Sequence, residues 1–129
     1  MFKNSKVQGD AGLGKAISYF TQQGLTVAIP LTDSQDYDLI VEIDGTLQRI
    51  QVKTGTMLAK NKKQTPLIFT VVNGGNKTGS TAKYVPEQNW DYLFCWHITV
   101  NETYLIPKEN ITAKSQLNLS DRYKDFLID

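Results

Sequence analysis

Asp38, Gln51 and Lys53 are the residues of this chain whose types and spacing could do chemistry together. The aspartate lies in an otherwise apolar run, YDLIV, and the glutamine and lysine lie in the following run, RIQVK. A carboxylate and an amide oxygen are ligands that a hard divalent cation accepts. If the fold places an ammonium group beside them, the three side chains would form a charged site rather than an ordinary surface.

A tight hairpin is the element that would bring them together. The runs Tyr37–Ile43 and Thr46–Lys53 flank Asp44-Gly45, and Asp-Gly between alternating segments is the strongest short-range signal for a type I′ turn. Opposed residues on such a hairpin have Cβ atoms about 5 Å apart, and Lys53 would lie roughly 7 Å farther along the same face. The turn fixes the register, which pairs Ile43 with Thr46, Val41 with Gln48, Leu39 with Ile50, and Asp38 with Gln51.

The register also sorts the hairpin residues onto two faces, because side chains alternate along a strand. The face expected to rest on a core carries Tyr37, Leu39, Val41, Ile43, Thr46, Gln48, Ile50 and Val52. The other face carries Asp38, Ile40, Glu42, Leu47, Arg49, Gln51 and Lys53. A carboxylate in such a strand is costly unless it is hydrogen-bonded, paired or bound to a metal. The residues alone leave a second interpretation open, in which this face is open to water and carries ordinary cross-strand pairs: Glu42–Arg49 and Asp38–Lys53, or Asp36–Lys53 if the strand starts early.

The segments around the hairpin predict an α/β sandwich with a central mixed sheet. A helix is expected over Gly9–Gln23, with Asp10 at its N-cap and Gly24 after its end. Ser120 is expected to cap a short helix over Asp121–Leu127, and the glycine-rich segment Asn73–Ala82 is expected to form a loop. The other expected strands are Leu25–Pro30, which should be buried, Leu67–Val72, Trp90–Ile98 and Thr103–Ile106, the last two joined by a turn near Asn101.

Positive charge is concentrated in one part of a nearly neutral chain. The 129 residues carry a net charge of +1, yet Thr46–Pro86 contains no aspartate or glutamate. Half of the 14 lysines and arginines fall in that stretch, namely Arg49, Lys53, Lys60, Lys62, Lys63, Lys77 and Lys83. This distribution is expected of a phosphate-binding face, although a solvated basic loop is equally compatible with it.

Length and composition restrict the class of protein. At 129 residues the chain is expected to form a single domain, 1–129, around one core. No apolar run is long enough for a transmembrane helix and the N-terminus lacks an apolar signal region, so we expect a cytoplasmic protein without a membrane partner. One cysteine excludes an internal disulfide framework. Cys95 and His97 could bind zinc from one strand, but a structural zinc site needs four ligands and no second pair is present.

The site pattern resembles that of the PD-(D/E)XK nuclease superfamily, in which an aspartate is followed across a hairpin by (D/E)-x-K. Here it reads Asp38, then Gln51-Val52-Lys53. More narrowly, the runs GDAGLGKAISYF, PLTDSQDYDLI, RIQVKTG, WDYLF and YLIP are similar to the homing endonucleases encoded in cyanobacterial group I introns. The resemblance covers Gly9–Gly55 well and Trp90–Pro107 loosely. It implies a restriction-endonuclease-like α/β core, with a central mixed β-sheet flanked by helices.

The resemblance also implies a role for each site residue. Asp38 would bind Mg²⁺, Gln51 at the (D/E) position would contribute its side-chain oxygen, and the backbone carbonyl of Val52 would complete the protein's ligands. Lys53 would orient the attacking water or stabilise the charge that develops on phosphorus. Gln51 carries one negative charge fewer than a carboxylate, so metal affinity should be weaker. A second departure is Leu13, which stands where many members carry a helix glutamate that points at the metal, although Asp10, one turn away, could substitute for it.

The implied function is that of a Mg²⁺-dependent endonuclease acting on double-stranded DNA. A homodimer or higher homo-oligomer is expected, because one such domain cuts one strand. Leu13 and Gln51 keep a second function open, DNA binding by a catalytically inactive relative. A third is a small α/β protein-interaction domain whose polar hairpin face binds a partner chain. The residues expected to hold backbone phosphates are Arg49, Lys60, Lys62, Lys63, Lys77 and Lys83.

Overall fold

A five-stranded mixed sheet forms the centre of the computed structural model, which describes residues 2–73 and 82–129. In chain order the elements are helix α1 (Ser5–Gln22) and strands β1 (Val27–Ala28), β2 (Leu39–Ile43), β3 (Thr46–Gly55), β4 (Leu67–Phe69), β5 (Val72–Asn73), β6 (Ala82–Lys83), β7 (Tyr92–His97), β8 (Glu102–Pro107) and β9 (Gln116–Asn118). Short 3-10 helices lie at Val85–Glu87, Lys108–Asn110 and Asp121–Phe126. The sheet order is β1-β2-β3-β7-β8, with β3 parallel to β7 and the other neighbours antiparallel. The predicted α/β fold class with a central mixed sheet is confirmed.

The β2–β3 hairpin has the predicted register. Asp44 and Gly45 both have positive φ, 53° and 80°, as a type I′ turn requires. The pairs Ile43–Thr46, Val41–Gln48 and Leu39–Ile50 are those expected from the sequence. The first strand begins at Leu39 rather than at the predicted Tyr37, and the second continues to Gly55.

Two cores lie on opposite faces of the sheet and decide which way each hairpin side chain points. The helix-side core, beneath α1, consists of Ala16, Phe20, Leu39, Val41, Ile50 and Phe94. The ribbon-side core consists of Ile68, Val85, Trp90, Leu93, Cys95, Tyr104, Ile106, Leu117, Leu119 and Tyr123, with Ile68 and Leu117 supplied by a separate antiparallel ribbon of β4 and β9. Gln51 and Lys53 are paired with Leu93 and Cys95 of β7, so they share the ribbon-side face. Tyr37 also packs on this side, so its predicted place beside Leu39 is wrong, because it precedes the first pleated residue of β2.

Helix α1 starts earlier than predicted. Its N-cap is Asn4, whose Oδ1 accepts the backbone N–H of Val7 at 2.9 Å, so the prediction that Asp10 caps the helix is wrong. Asp10 is exposed and lies inside the helix, in its second turn. The predicted end is confirmed within a residue, since Gly24 follows the helix with a positive φ of 77°.

Several outer elements differ from the predictions. Strand β1 is an edge strand with Ala28 exposed, so the expectation of a buried strand over Leu25–Pro30 is wrong. The predicted strand Leu67–Val72 is interrupted at Thr70 and contributes β4 to the ribbon rather than to the central sheet. Ser120 stands at the N-cap of the last helix, which is a 3-10 helix, but its side chain makes no capping hydrogen bond.

The predicted loop Asn73–Ala82 lies mostly outside the described residues, and Lys77 falls in that gap. Its two ends pair with each other as β5 and β6, through Val72–Lys83 and Asn73–Ala82. Within the two described ranges, no helix has both the length and the apolar character needed to cross a bilayer.

Candidate active site

Asp38 lies directly before β2 and is held against β3 by its backbone and its side chain. Its N–H donates to the carbonyl of Ile50 at 2.8 Å, and its carboxylate Oδ2 accepts the N–H of Val52, also at 2.8 Å. The carboxylate thus occupies a place on β3 where a neighbouring strand would offer a carbonyl oxygen. Asp38 is therefore fixed in position before any substrate or cation arrives.

Gln51 connects the predicted ligands to one another. The side chain is almost buried, and the residue is 8% exposed. Its amide nitrogen Nε2 lies 3.1 Å from Asp38 Oδ2 and 3.3 Å from the carbonyl oxygen of Val52, and it donates to both. The structure therefore brings together the three residues that the sequence singled out as metal ligands, and it joins them through the amide group of Gln51.

Lys53 follows on the same face of β3 and is half-buried. Burial lowers the pKa of Lys53 below its ordinary 10.5, and the negative charge of Asp38 opposes that shift. Burial likewise raises the pKa of Asp38 above its ordinary 3.8, against the hydrogen bond from Val52 and the charge of Lys53. In residues 2–73 and 82–129 the Lys53 ammonium makes no ion pair or hydrogen bond, so the alternative pair Asp38–Lys53 is not formed as a direct contact.

The alternative pairing of Lys53 with Asp36 is also not found, because Asp36 has other partners. Its buried carboxylate lies 3.4 Å from Lys83 Nζ and accepts the backbone N–H of Asn89 at 3.0 Å. This contact attaches β6 to the segment that leads into the hairpin. Lys83, predicted to hold phosphate, is thus partly neutralised by a carboxylate.

Arg49, another predicted phosphate contact, is bound by Asp91 rather than by Glu42. The guanidinium donates to both carboxylate oxygens, at 3.2 and 3.1 Å, and the backbone N–H of Arg49 donates to the same group at 2.7 Å. These hydrogen bonds raise the pKa of Arg49 and lower that of Asp91. The Arg49 side chain nevertheless remains 43% exposed, and together with Lys83 it lines a pocket of about 280 Å³.

The remaining predicted phosphate contacts lie on the connection from β3 to β4. Lys60, Lys62 and Lys63 are all exposed there. The turn that carries them is held by the Asn61 side chain, which accepts the N–H of Lys63 at 3.1 Å, and by a backbone hydrogen bond from Ala59 to Thr65 of 2.7 Å. Lys77 lies outside the described residues.

Sequence reasoning missed the residues that support the site from a distance in the chain. Asp91 is one, and its only sequence signal is a carboxylate at the start of an apolar strand. Gln8 of α1 is another, since its Nε2 donates a hydrogen bond of 3.2 Å to Thr54 Oγ1 on β3. Leu13, at the position of the implied helix glutamate, packs against the helix-side core.

Cys95 and His97 lie on the ribbon-side face of the sheet, where Cys95 belongs to the core. Both residues are buried, and His97 Nε2 lies 2.8 Å from the Met57 carbonyl oxygen. Burial raises the pKa of the Cys95 thiol, which disfavours the thiolate that zinc needs. No group of three potential metal-binding His, Cys, Asp or Glu residues occurs within the described ranges, so a zinc site has no support there.

Comparison with known proteins places the chain in a family. A family model described as PD-(D/E)XK endonuclease matches residues 3–125. No curated protein matches the chain. Among solved structures, a bacterial homing endonuclease, I-Ssp6803I, superposes with a TM-score of 0.70 over 93% of this chain and 78% of that chain, at 22% sequence identity, so the two share a fold. Because the family match spans nearly the whole chain, this protein belongs to the PD-(D/E)XK endonuclease family.

Proposed function

We propose that this protein is a Mg²⁺-dependent endonuclease that hydrolyses phosphodiester bonds in double-stranded DNA at the Asp38–Gln51–Lys53 site. The observation that carries the proposal is the convergence of Asp38, Gln51 and the Val52 carbonyl within hydrogen-bonding distance, with Lys53 next on the same face. Family membership supports the reaction class, and the name of the homing endonuclease with the same fold supports DNA as the substrate.

The residues present fit a divalent cation. Oδ1 of Asp38 accepts no hydrogen bond from the described part of the chain, so it is available as a ligand, whereas the amide of Gln51 would have to turn its oxygen toward Asp38 to become one. Mg²⁺ usually takes only one or two protein oxygens and keeps several waters, so this small ligand set is sufficient. Burial disfavours an isolated carboxylate at Asp38, and a nearby cation would favour its charged form.

Asp38, Lys53 and the cation would each have a separate role in hydrolysis. When bound, the cation supplies Lewis-acid polarisation of the phosphate and activation of a water. Asp38 fixes the position of the ligand set, because its carboxylate is anchored to the Val52 N–H. The Lys53 ammonium, which is free of an ion pair in the described structure, would donate to the attacking water or to a phosphate oxygen and oppose the negative charge that develops there.

Double-stranded DNA would be held by basic side chains of the stretch Thr46–Pro86, which contains no acidic residue. Lys60, Lys62 and Lys63 are exposed and unopposed by any acidic residue from Thr46 to Pro86. Arg49 and Lys83 are partly neutralised by Asp91 and Asp36, so they would contribute mainly hydrogen bonds to the phosphates and little net positive charge. One site per chain cuts one strand, so we propose a twofold symmetric homodimer as the form that cuts both.

Nicking of supercoiled plasmid tests the proposal. Wild-type protein should nick the plasmid with Mg²⁺ or Mn²⁺ and not with EDTA, and Lys53→Met and Asp38→Asn should abolish nicking. Asparagine at position 38 keeps an oxygen for the Val52 N–H while losing the charge. The matched controls are Lys124→Met and Asp125→Asn, which make the same changes at exposed positions and should retain activity. Nicking that survives both site variants would refute the assignment of the site.

A second function, DNA binding without cleavage, is favoured by one observation. Leu13 packs against the helix-side core, so α1 supplies no carboxylate at the position implied for a second metal ligand. Salt-sensitive DNA binding without nicking would select this function, because phosphate contacts release counterions whether or not a bond is cut. Absence of DNA binding at low salt would leave only a protein-interaction role.

A further inference from the structure

The amide nitrogen of Gln51 lies between two oxygens of the ligand set proposed above. It donates to Asp38 Oδ2 at 3.1 Å and to the Val52 carbonyl oxygen at 3.3 Å. A glutamine amide has a donor side and an acceptor side of nearly equal size. With nitrogen inward both contacts are favourable, whereas with oxygen inward three oxygens would face one another without a positive charge between them.

We infer that the side-chain amide of Gln51 has two functional orientations. With its nitrogen inward it donates hydrogen bonds to Asp38 and the Val52 carbonyl, and with its oxygen inward it joins these two groups as a ligand of the cation. This inference rests on the proposed function. The change turns the amide group over about its last side-chain bond. Because nitrogen and oxygen are close in size, it can take place at a residue that is 8% exposed without moving β2 or β3.

The consequence is that cation binding has to displace two internal hydrogen bonds. A glutamate at this position could not make them, because it has no donor, and its charge would meet Asp38 directly. Glutamine therefore holds Asp38 and the Val52 carbonyl together through these two hydrogen bonds and makes loading with a cation conditional on a further partner. The phosphate of bound DNA, which adds anionic oxygens to the ligand set, is a partner of the required chemistry.

Substitution of Gln51 by glutamate should remove this barrier. Each displaced hydrogen bond to a charged or polar partner corresponds to a factor of about ten in affinity, so Gln51→Glu should bind Mg²⁺ roughly ten-fold to a hundred-fold more tightly in the absence of DNA. The matched control is Gln48→Glu, which adds the same charge to the same strand. Gln48 lies on the opposite face of β3, opposed to Val41, so its variant should bind Mg²⁺ as weakly as the wild type.

Nuclear magnetic resonance and calorimetry test the inference without measuring cleavage. The side-chain amide signal of Gln51, assigned by its loss in Gln51→Glu, should move when Mg²⁺ is added together with a short DNA duplex, and should move little with Mg²⁺ alone. Isothermal titration with Mg²⁺ should give the predicted tightening for Gln51→Glu and none for Gln48→Glu.

The outcomes separate this inference from the proposed function. The two orientations of the Gln51 amide are refuted, and the nuclease assignment stands, if plasmid is nicked and Mg²⁺ binds while the Gln51 amide signal stays fixed. The same conclusion follows if Gln51→Glu binds Mg²⁺ no more tightly than Gln48→Glu. If no divalent cation binds with or without DNA, both are refuted.

Discussion

Gly12 of α1 lies against β3, the strand that carries Lys53. Its replacement by alanine tests how closely the helix packs on that strand. A Cβ at Gly12 would lie far inside van der Waals contact of Cγ2 of Thr54. Its other neighbours, Cγ1 of Val52 and Cβ of Thr54, would be at ordinary distances of 3.8 and 3.9 Å. One methyl group therefore decides the outcome of the substitution.

The magnitude follows from two opposing terms. Overpacking of this kind costs about 1–3 kcal/mol, whereas alanine in place of glycine favours a helix by about 1 kcal/mol. Gly12→Ala should therefore lower the free energy of unfolding by about 0–2 kcal/mol. In a Thr54→Ser background the clashing methyl is gone while the hydroxyl that accepts from Gln8 remains, so the same substitution should become stabilising by about 1 kcal/mol.

Urea denaturation of the wild type, both single variants and the double variant gives the coupling free energy, expected to be about 1–3 kcal/mol. Gly14→Ala is the matched control, since nothing lies within 4 Å of a Cβ at that position of the same helix. It should stabilise the protein by up to about 1 kcal/mol in both backgrounds. If Gly12→Ala changes stability equally in the two backgrounds, the reasoning about α1 and Thr54 fails.

Three further predictions concern ionisation, thiol reactivity and a backbone contact. Because Arg49 holds the pKa of Asp91 below its ordinary 3.8, the pair stabilises the fold fully above about pH 4 and loses that contribution as pH falls through the lowered pKa. Thermal unfolding midpoints of Asp91→Asn should accordingly fall less steeply than wild type below that pH, and parallel curves would contradict this. The buried Cys95 thiol, with its raised pKa, should resist iodoacetamide at about pH 8 until urea unfolds the protein, so rapid labelling of native protein would refute its burial. Gly55→Ala would place a Cβ 2.6 Å from the backbone carbonyl oxygen of Leu67 and should cost more than about 2 kcal/mol by urea denaturation, a cost that no nearby side-chain change should relieve.

The hairpin could be predicted because its determinants are local. Asp44-Gly45 is a dipeptide that tolerates positive φ at both positions, and the two-residue turn leaves only one register for the flanking strands. The alternation of apolar residues then assigns the faces, and Leu39 and Ile50 are fully buried as expected. This local argument was enough to place Asp38 and Gln51 together.

The start of α1 shows where local signals compete. Asn4 and Asp10 are both good N-cap residues, and the glycines at 9, 12 and 14 lower the helix propensity around Asp10, so local signals alone do not determine where the helix starts. The structure extends the helix across those glycines, because packing against β3 outweighs propensity. At Gly12 the missing side chain is what permits the approach to Thr54.

The partners of the charged residues could not be predicted, because they lie far away in the chain. Arg49 could have paired with Glu42 across the hairpin, yet it binds Asp91, which reaches it through the parallel pairing of β3 and β7. Asp36 binds Lys83 from the other side of the gap in the described residues. Cross-strand neighbours within one hairpin therefore gave the wrong ion pairs while giving the right register.

Whether the hairpin can act as a site depends on what covers its polar face. The ribbon of β4 and β9 brings Ile68 and Leu117 to the same side of the sheet as Gln51 and Lys53. The polar face is therefore partly covered rather than fully open to water as in the alternative interpretation of the sequence, and burial displaces the pKa values of both Asp38 and Lys53. Burial shifts both pKa values toward the neutral forms, and under the proposed function a bound cation would favour the charged form of Asp38 again. The positions of Asp38, Gln51 and Lys53 are thus determined by the hairpin, whereas the cover over their side of the sheet also depends on residues that follow it by many positions.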